Sequence, residues 1–355
     1  MFPDNQNQDL HEHLEIFEDS KSGLSGVISI HSTALGPATG GCRFWQYASQ
    51  AEAIQDALRL SEGMSYKNAL AGLPFGGGKA VIIRPPGSFD RNALFKAFGT
   101  VVQKLNGDYL TAEDVGTTLD DMTAVGMNSR YVAGLQRKGS VAGGDPSPWT
   151  ALGVFETIRA CVRYKLGKDL SGIRIAVQGL GNVGSEVCRL LHAEGALLFV
   201  ADIDVARAAF AAEEYGATIL PNSQILSADV DVFTPCALGG VLDEGNIAKL
   251  RAGIIVGGAN NQLATVIDGQ RLSDRDILYA PDYVVNAGGI INVVAEYLGE
   301  PSSAVGSRVH QIAGRVMQIV RTAEEENRAT STVADVMART IIQQGRTKMP
   351  MIALG

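Results

Sequence analysis

Cysteine and histidine are scarce in this sequence of 355 residues, and their scarcity excludes several kinds of site. The four cysteines are widely separated and form no C-x-x-C pair, so neither a disulfide framework nor a structural zinc site is expected. The five histidines form no H-E-x-x-H motif, which is a signature of catalytic zinc. We therefore expect no bound metal.

Long apolar runs and clusters of basic residues are also missing. No apolar run approaches the roughly 20 residues that span a bilayer, and the N-terminal stretch lacks the basic and apolar regions of a secretory signal. The net charge of −8 disfavours nucleic acids and anionic membranes, because both attract clusters of lysine and arginine. We expect a cytoplasmic protein whose ligands are small molecules.

The length and the order of the sequence patterns indicate two domains. A chain of 355 residues, 46% of them hydrophobic, is too long for one ordinary core. The stretch 138–148, KGSVAGGDPSP, is the best candidate for a linker, since glycine, serine and proline resist regular structure. A helical stretch, 149–166, follows it. Short apolar runs then alternate with helical periods, which is typical of parallel β-α units.

Two lysines stand at the ends of predicted elements in the first half of the chain. Apolar residues at helical spacing predict a helix over 50–66, with Ser49 as its cap, so Lys67 lies at or just past the helix end. The stretch 79–83 resembles a buried strand. Lys79 is therefore expected at a junction between a glycine loop and a strand.

The three glycines before Lys79, in AGLPFGGGKA (71–80), raise the question of a phosphate-binding loop. Such a loop requires G-x-x-x-x-G-K-[ST], in which the hydroxyl binds magnesium. Leu73 stands in place of the first glycine, and Ala80 stands in place of the hydroxyl residue. A loop of the nucleoside-triphosphate type is therefore excluded.

A dinucleotide-binding signature begins in the second half, where IRIAVQGLGNVG covers 173–184. Gly179, Gly181 and Gly184 form G-x-G-x-x-G directly after a predicted strand and before a predicted helix, so free N–H groups and a positive helix end can face a pyrophosphate. Asp202 ends the next strand and is placed to accept the ribose hydroxyls. We expect NAD rather than NADP, although Arg207 could accommodate a 2′-phosphate.

A hydride-transfer enzyme needs a group that handles protons, and no histidine lies in a glycine-rich or acidic loop. The remaining candidates are Lys67, Lys79 and Asp114. A lysine works as a base only if its pKa falls, through desolvation or a second nearby cation. The alternatives remain open: Lys67 as a solvated lysine at a helix end, Lys79 as a surface strand residue, and Asp114 as a helix cap.

Several further segments are similar to a known family, and they keep its order from about residue 24 to 300. The segments are GPATGGCRFW (36–45), DALRLSEGMSYKNALAGLPFGGGKAVI (56–82), YLTAEDVGTT (109–118), GLGNVG (179–184), PCALGG (235–240), GGANNQL (257–263) and ILYAPDYVVNAGGIINV (277–293). They resemble the glutamate/leucine/phenylalanine/valine dehydrogenase family, and within it most of all the leucine dehydrogenases.

The resemblance implies an α/β fold of two domains with a cleft between them. The first, about 1–135, would be the substrate and oligomerisation domain, completed by a C-terminal helix within 331–355. The second, about 136–330, would be a Rossmann-type domain that binds NAD. The family also implies a homo-oligomer, between a dimer and an octamer.

The resemblance further implies roles in oxidative deamination. Lys67 would bind the substrate carboxylate, and Asp114 would exchange protons with the amine. Hydride would pass from the α-carbon to NAD, and Lys79 would activate the water that attacks the resulting imine. The products would be a 2-oxo acid and ammonia.

The same comparison assigns the cofactor side of the site. Asn261 would help to bind the carboxylate, Asn260 would lie near the nicotinamide, and Thr150 would meet its carboxamide. The pyrophosphate would be held by the glycine turn, which consists of Gly179, Leu180, Gly181, Asn182, Val183 and Gly184.

The substrate side chain would face an apolar pocket. By resemblance Gly40 and Gly41 belong to the substrate site, and the side-chain pocket involves Thr39, Ala112, Ile290 and Val293. A pocket without a cation rejects glutamate, whose buried carboxylate would be unpaired. We expect leucine, valine or isoleucine.

One pocket residue keeps the aromatic alternative open. Thr39 replaces the leucine that leucine dehydrogenases usually have there, and it could admit phenylalanine or another aromatic amino acid.

Two rival functions come from other classes. A 2-hydroxy-acid dehydrogenase would need a histidine base and an arginine for the carboxylate, and neither has a convincing place. A non-catalytic NAD-binding sensor would keep the glycine turn and Asp202 but could lose Lys67, Lys79 and Asp114, all of which are present.

Overall fold

A computed structural model describes residues 11–135 and 142–348, and the chain divides into two compact units. The first unit comprises Met1–Gly144, Asn292–Ser302 and Met337–Gly355, and the second comprises Asp145–Ile291 and Ser303–Val336. Residues 136–141, which include part of the expected linker, lie outside the described residues. The end of that linker is already helical, because a helix begins at Ser147.

The first unit is built on one five-stranded mixed sheet. Its elements are β1 (His13–Asp19), β2 (Leu24–Ser32), β3 (Ala38–Trp45), α1 (Gln50–Leu70), β4 (Gly76–Ile83), α2 (Arg91–Lys104), β5 (Tyr109–Glu113), α3 (Leu119–Gly126), and parts of α10 (Gly288–Tyr297) and α13 (Thr330–Lys348). The strand order is β1-β2-β4-β3-β5. The strands β3, β4 and β5 are parallel, whereas β2 is antiparallel to both β1 and β4.

The two faces of this sheet have different coverings. On one face Cys42 and Ala80 pack with Phe95 and Phe98 of α2 in the larger apolar core. On the other face Val81 packs with residues of α1. Side chains alternate along a strand, so Thr39, Gly41, Lys79 and Ala112 all belong to the α1 face. Four of the expected site residues therefore share one surface.

The glycines before Lys79 lie in a strand, so the expectation of a glycine loop there is wrong. Strand β4 begins at Gly76, three residues earlier than expected. A Cβ at Gly77 would lie 2.0 Å from the backbone N of Ser65 in α1, and one at Gly78 would lie 2.8 Å from the Tyr109 ring. The glycines thus allow α1 and β5 to pack closely against the strand that carries Lys79.

Substitution of Gly77 by alanine is expected to lower the free energy of unfolding by about 3 kcal/mol, because the methyl group collides with rigid backbone. The matched control is Gly63→Ala on α1, since a Cβ there meets nothing within 4 Å. This control should raise stability by about 0.5–1 kcal/mol, the usual gain for alanine over glycine in a helix. Urea unfolding measures both, and equal stabilities for the two variants would contradict this explanation of the glycines.

Helix α1 begins as expected but ends later. The hydroxyl of Ser49 accepts the Glu52 N–H at 3.2 Å, so Ser49 caps the helix. The helix continues to Leu70, and Lys67 therefore lies within its last turn rather than at or past its end. The extension follows from burial, because Ala69 and Leu70 are buried and prolong the apolar face.

The C-terminal helix contributes directly to the first unit. Arg339 of α13 donates from Nε to the hydroxyl of Tyr66 on α1 at 2.7 Å. Further along, a Cβ at Gly345 would lie 2.6 Å from the carbonyl oxygen of Ala34, so the helix passes close to the loop after β2. The first unit is thus formed by segments that are far apart in sequence.

The second unit is a doubly wound parallel sheet. Its elements are α4 (Ser147–Leu166), β6 (Arg174–Gln178), α5 (Asn182–Ala193), β7 (Leu197–Ala201), α6 (Val205–Tyr215), β8 (Thr218–Ile219), a 3-10 helix (Ile225–Ser227), β9 (Val232–Pro235), α7 (Glu244–Lys249), β10 (Ile254–Ile255), α8 (Ile267–Asp274), β11 (Leu278–Tyr279), α9 (Asp282–Val285), α11 (Ser302–Val309), α12 (Gln311–Glu326), and parts of α10 and α13. The strand order is β11-β10-β9-β6-β7-β8, and every pairing is parallel.

This order identifies where a ligand can bind in the second unit. The chain runs outward from β6 through β7 to β8, then returns to β9 on the other side of β6. The order therefore reverses between β6 and β9, and such switch points bind ligands at the carboxyl ends of the strands. The glycine turn follows β6 at this point. The predicted β-α units are confirmed.

Candidate active site

Lys79 and Asp114 form a close ion pair on the first unit. The Lys79 Nζ lies 2.7 Å from Oδ2 of Asp114. Lys79 projects from β4 and its side chain is only 5% exposed, whereas the Asp114 side chain is 22% exposed. Asp114 is the first residue after β5. The two expected catalytic residues are thus brought together across β3, which lies between β4 and β5 in the sheet.

Asp114 is held by its own loop and stays ionised. Its N–H donates to the hydroxyl of Thr117 at 2.8 Å, and Arg43 Nε donates to Oδ2 at 3.3 Å. Burial raises the pKa of the Asp114 carboxyl, but the charge and hydrogen bond of Lys79, together with the charge of Arg43, outweigh it. The pKa therefore lies below its ordinary value, and Asp114 is a carboxylate at neutral pH.

The glycines of β3 leave room for this pair. A Cβ at Gly41 would lie 2.7 Å from Cβ of Asp114, so any side chain there would displace the carboxylate. A Cβ at Gly40 would lie 1.8 Å from the carbonyl oxygen of Gly78 and 3.1 Å from Met64 of α1. Both glycines are therefore required by the packing around Lys79 and Asp114.

The remaining expected substrate-side residues of the first unit lie on β3, β5 and α1. Thr39 is fully buried, and its hydroxyl donates to the carbonyl oxygen of Leu110 at 3.2 Å. Ala112 lies opposite Gly41 in the sheet. Lys67 is half-buried and follows Met64 by three residues, so the two share a face of α1.

Two expected pocket residues lie on α10. Ile290 and Val293 are both half-buried. They are three residues apart and so lie on one face of the helix. Ile290 belongs to the second unit and Val293 to the first, since the division falls after Ile291.

The glycine turn of the second unit fits a dinucleotide. Gly179 has φ +92°, which favours glycine, and a Cβ at Gly184 would lie 1.9 Å from the carbonyl oxygen of Gly179. The nearest atom to a Cβ at Gly181 is Nη1 of Arg207, at 3.9 Å, so a ligand can approach this backbone. Helix α5 begins at the next residue, and its N-terminal N–H groups suit a pyrophosphate.

Asp202 lies beside the glycine turn, directly after β7 rather than as its last residue. Its Oδ2 accepts the N–H of Leu180, and its Oδ1 accepts the N–H of Asp204 at 2.7 Å. Arg207 Nε lies 3.3 Å from Asp204 Oδ2. The carboxylate of Asp202 is therefore fixed beside the glycine turn, where the ribose hydroxyls of a dinucleotide are recognised.

The other expected cofactor residues lie in loops of the second unit. Asn260 Oδ1 accepts from Nδ2 of Asn286 at 2.8 Å. Asn261 has φ +52°, a conformation that asparagine tolerates better than most residues, and its carbonyl oxygen accepts the Gly240 N–H at 2.7 Å. The hydroxyl of Thr150 donates to the carbonyl oxygen of Pro146 at 3.3 Å.

Two kinds of feature do not occur in the described part of the chain. Within residues 11–135 and 142–348, no group of three or more histidine, cysteine, aspartate or glutamate side chains could hold a metal ion. Over the same residues, no helix has the length and apolar character needed to cross a membrane.

Comparison with known proteins decides the family. The family description "Glu/Leu/Phe/Val dehydrogenase, dimerisation domain" matches residues 9–131, and "Glutamate/Leucine/Phenylalanine/Valine dehydrogenase" matches 145–206 and 197–347. The chain belongs to this family. It is therefore an NAD-dependent amino-acid dehydrogenase, and the predictions of family, fold class, enzyme class and cofactor are confirmed.

Individual relatives differ in the amino acid that their names give. A leucine dehydrogenase from Thermoactinomyces intermedius is 44% identical over 95% of this chain and 92% of its own length. An L-tryptophan dehydrogenase from Nostoc punctiforme is 42% identical over 97% of each chain. The crystal structure of the Nostoc punctiforme enzyme has a TM-score of 0.85 at 40% identity, covering 96% of this chain and 98% of the other.

The structure of this dehydrogenase also shows residues that the sequence analysis missed. Arg43 contacts both Asp114 and Asp56, and Asp56 lies on α1, 13 residues further along the chain. Asn286 holds Asn260 and is itself buried. Arg43 lies within GPATGGCRFW and Asn286 within ILYAPDYVVNAGGIINV, but only the fold shows their partners.

Proposed function

We propose that this enzyme catalyses the reversible NAD-dependent oxidative deamination of an apolar L-amino acid, of the leucine, valine and isoleucine type. The products are the 2-oxo acid and ammonia. The observation that carries the proposal is the pair of Lys79, which is buried, and Asp114, 2.7 Å apart, with Lys79 on the sheet face that also bears Thr39 and Ala112.

The proposed chemistry divides the proton transfers between the two members of this pair. Lys79, as the neutral amine, takes a proton from the water that adds to the imine carbon and becomes an ammonium. Asp114, which is ionised, exchanges a proton with the substrate nitrogen as ammonia forms. The ammonium of Lys67 on α1 binds the substrate carboxylate, with help from the amide of Asn261.

The glycine turn and Asp202 would hold the cofactor. Bound NAD supplies the acceptor for the hydride that leaves the α-carbon. The open backbone at Gly181 and the N–H groups at the start of α5 would bind the pyrophosphate, and the carboxylate of Asp202 would accept hydrogen bonds from the ribose hydroxyls. Asn260 and Thr150 orient the nicotinamide end.

The apolar pocket underlies the proposed preference for aliphatic side chains. Ala112, Ile290 and Val293 provide apolar contacts, and a glutamate side chain would lose its hydration without gaining a cation there. The similarity to a leucine dehydrogenase supports this choice.

An aromatic substrate is the second candidate. Thr39 is smaller than the leucine expected at its position, which leaves more room for a ring. The similarity to an L-tryptophan dehydrogenase also favours an aromatic substrate.

The test of substrate preference compares kcat/KM for leucine, valine, phenylalanine and tryptophan in the native enzyme. We expect leucine to be fastest, and a higher kcat/KM for either aromatic substrate would contradict the aliphatic assignment. Thr39→Leu should raise the ratio of leucine to phenylalanine by about tenfold, because one or two methylene groups discriminate by roughly 1–3 kcal/mol.

Thr39→Val serves as the control for this variant. It keeps the size of the side chain and removes the hydrogen bond to Leu110. It should therefore leave the substrate ratio unchanged even if it lowers stability. If Thr39→Val changed the ratio of leucine to phenylalanine as much as Thr39→Leu does, the hydroxyl of Thr39 and not its volume would control the substrate preference.

We also propose that the enzyme is a homo-oligomer in the cytoplasm. The match of its first unit to a dimerisation domain supports self-association. Light scattering coupled to size-exclusion chromatography gives the number of subunits, and a mass of one chain, 37.5 kDa, at micromolar concentration would contradict the proposal.

A further inference from the structure

A chain of charged groups continues from Asp114 away from Lys79. Arg43 donates from Nε to Asp114 Oδ2 at 3.3 Å and from Nη1 to Asp56 Oδ2 at 2.9 Å. The Arg43 side chain projects from β3 and is only 19% exposed. One guanidinium therefore joins the carboxylate beside Lys79 to a second carboxylate on α1.

Asp56 is itself firmly held, so it can anchor Arg43. The hydroxyl of Tyr47 donates to Asp56 Oδ2 at 2.7 Å, and Arg59 donates from Nη2 to Oδ1 at 2.8 Å. Burial raises the pKa of Asp56, but the hydrogen bonds from Tyr47 and Arg59 and the charge of Arg43 bring it below its ordinary value. Asp56 is thus an ionised group in a fixed position.

We propose that Arg43, anchored by Asp56, is a positioning residue that holds the Asp114 carboxylate in its orientation for proton transfer. Arg43 and Lys79 both bind Oδ2, and two cations that approach one oxygen from different strands define the rotation of the carboxylate. Arginine suits this task because its planar guanidinium presents donors in a rigid fork. The inference rests on the proposed role of Asp114.

Arg43 also adds to the electrostatic field at the proton-transfer site. The titratable groups that face Asp114 are Lys79 on β4, Arg43 and Cys42 on β3, and Tyr109 on β5. Loss of the Arg43 charge raises the pKa of the Asp114 carboxyl, because that charge is one of the causes that lower it. The acid limb of the kcat/KM profile should therefore move to higher pH when Arg43 is replaced.

The decisive experiment compares Arg43→Ala, Arg43→Lys and the control Arg59→Ala in the full-length enzyme. Arg59 is exposed and binds Oδ1 of Asp56, whereas Tyr47 and Arg43 bind Oδ2, so Asp56 keeps its contact with Arg43 when Arg59 is removed. We expect Arg43→Ala to lower kcat for amino-acid oxidation by about 10- to 100-fold, with an unchanged KM for NAD and the stated shift of the acid limb. The kcat of Arg43→Lys should lie between those of the native enzyme and Arg43→Ala. The kcat of Arg59→Ala should stay within about twofold of the native value.

Chemical rescue separates positioning from a general structural role. Arg43 lines an open cavity of about 550 Å³ together with Tyr47 and Asp56, so a guanidinium ion can reach the space that Arg43→Ala leaves. Guanidinium at concentrations too low to unfold the protein should restore part of the kcat of Arg43→Ala but not of Lys79→Ala. If Arg43→Ala does not fold, Arg43→Lys alone decides, through its kcat and pH profile.

The possible outcomes distinguish this inference from the proposed function. The inference would be overturned if Arg43→Ala or Arg43→Lys kept the native kcat and an unshifted pH profile while Asp114→Asn was inactive. That result would leave the proposed function intact. Native turnover in Asp114→Asn would instead overturn the proposed role of Asp114, and the inference with it. The role of Arg43 is supported if Arg43→Ala has a reduced kcat and a shifted acid limb while Arg59→Ala is unaffected.

Discussion

Replacement of Lys79 by alanine should lower kcat for oxidative deamination by about 10³-fold or more, since it removes the group that activates water. The buried Nζ of Lys79 lies 2.7 Å from Oδ2 of Asp114, and no other lysine shares β4 with it. KM for NAD should change little, because the glycine turn and Asp202 belong to the other unit. Steady-state kinetics with a saturating amino acid measures the effect.

The matched control for Lys79→Ala is Lys104→Ala. Lys104 lies in the last turn of α2 and is exposed, so its loss should leave kcat within about twofold of the native value. Lys79→Met adds a second test, since methionine keeps most of the aliphatic length and supplies no base. If Lys79→Met and Lys79→Ala both turned over at more than about a tenth of the native rate, Lys79 would not be the water-activating group.

Asp114→Asn is expected to lower kcat by about 10²- to 10³-fold while the protein remains folded. Asparagine has nearly the shape of aspartate, but its amide cannot exchange a proton with the substrate nitrogen. The substitution also removes the negative partner of Lys79 and Arg43, both of which bind Oδ2. Two cations then face a neutral group, so some loss of stability accompanies the loss of activity.

Asp121→Asn is the control that separates stability from catalysis. Asp121 is a buried carboxylate of the first unit that is likewise paired with a cation, Arg91, at 2.7 Å, and it completes the cap of α3 with Thr118. Its replacement should lower the melting temperature and leave kcat nearly unchanged. An equal loss of kcat in Asp114→Asn and Asp121→Asn would contradict a chemical role for Asp114.

Local sequence signals predicted the second unit well. The glycine turn, the start of α5 and the placement of Asp202 all depend on residues close together in the chain, and so does the capping of α1 by Ser49. The strand–turn–helix order needs no distant contact to be recognised. The structure fits these predictions because the turn depends on local features: the positive φ of Gly179 and the close approach of Gly184 to the carbonyl oxygen of Gly179.

The sequence could not predict features that depend on distant contacts. Three consecutive glycines predict a loop, but they form a strand through pairing with β2 and β3, and the close approach of the α1 backbone explains why Gly77 has no side chain. The end of α1 was placed too early because the burial of Ala69 and Leu70 is a tertiary effect. The link from Asp114 through Arg43 to Asp56 spans three separate elements, which no periodic pattern could reveal.

The most direct test of the central claim is the oxidation of NADH with 4-methyl-2-oxopentanoate in the presence and absence of ammonium. We predict oxidation that depends strictly on ammonium and yields one leucine for each NADH consumed. The panel extends to 3-methyl-2-oxobutanoate, phenylpyruvate, indolepyruvate and 2-oxoglutarate. Absence of ammonium-dependent oxidation with every one of these 2-oxo acids would contradict the assignment of Lys79 and Asp114 to amino-acid dehydrogenation.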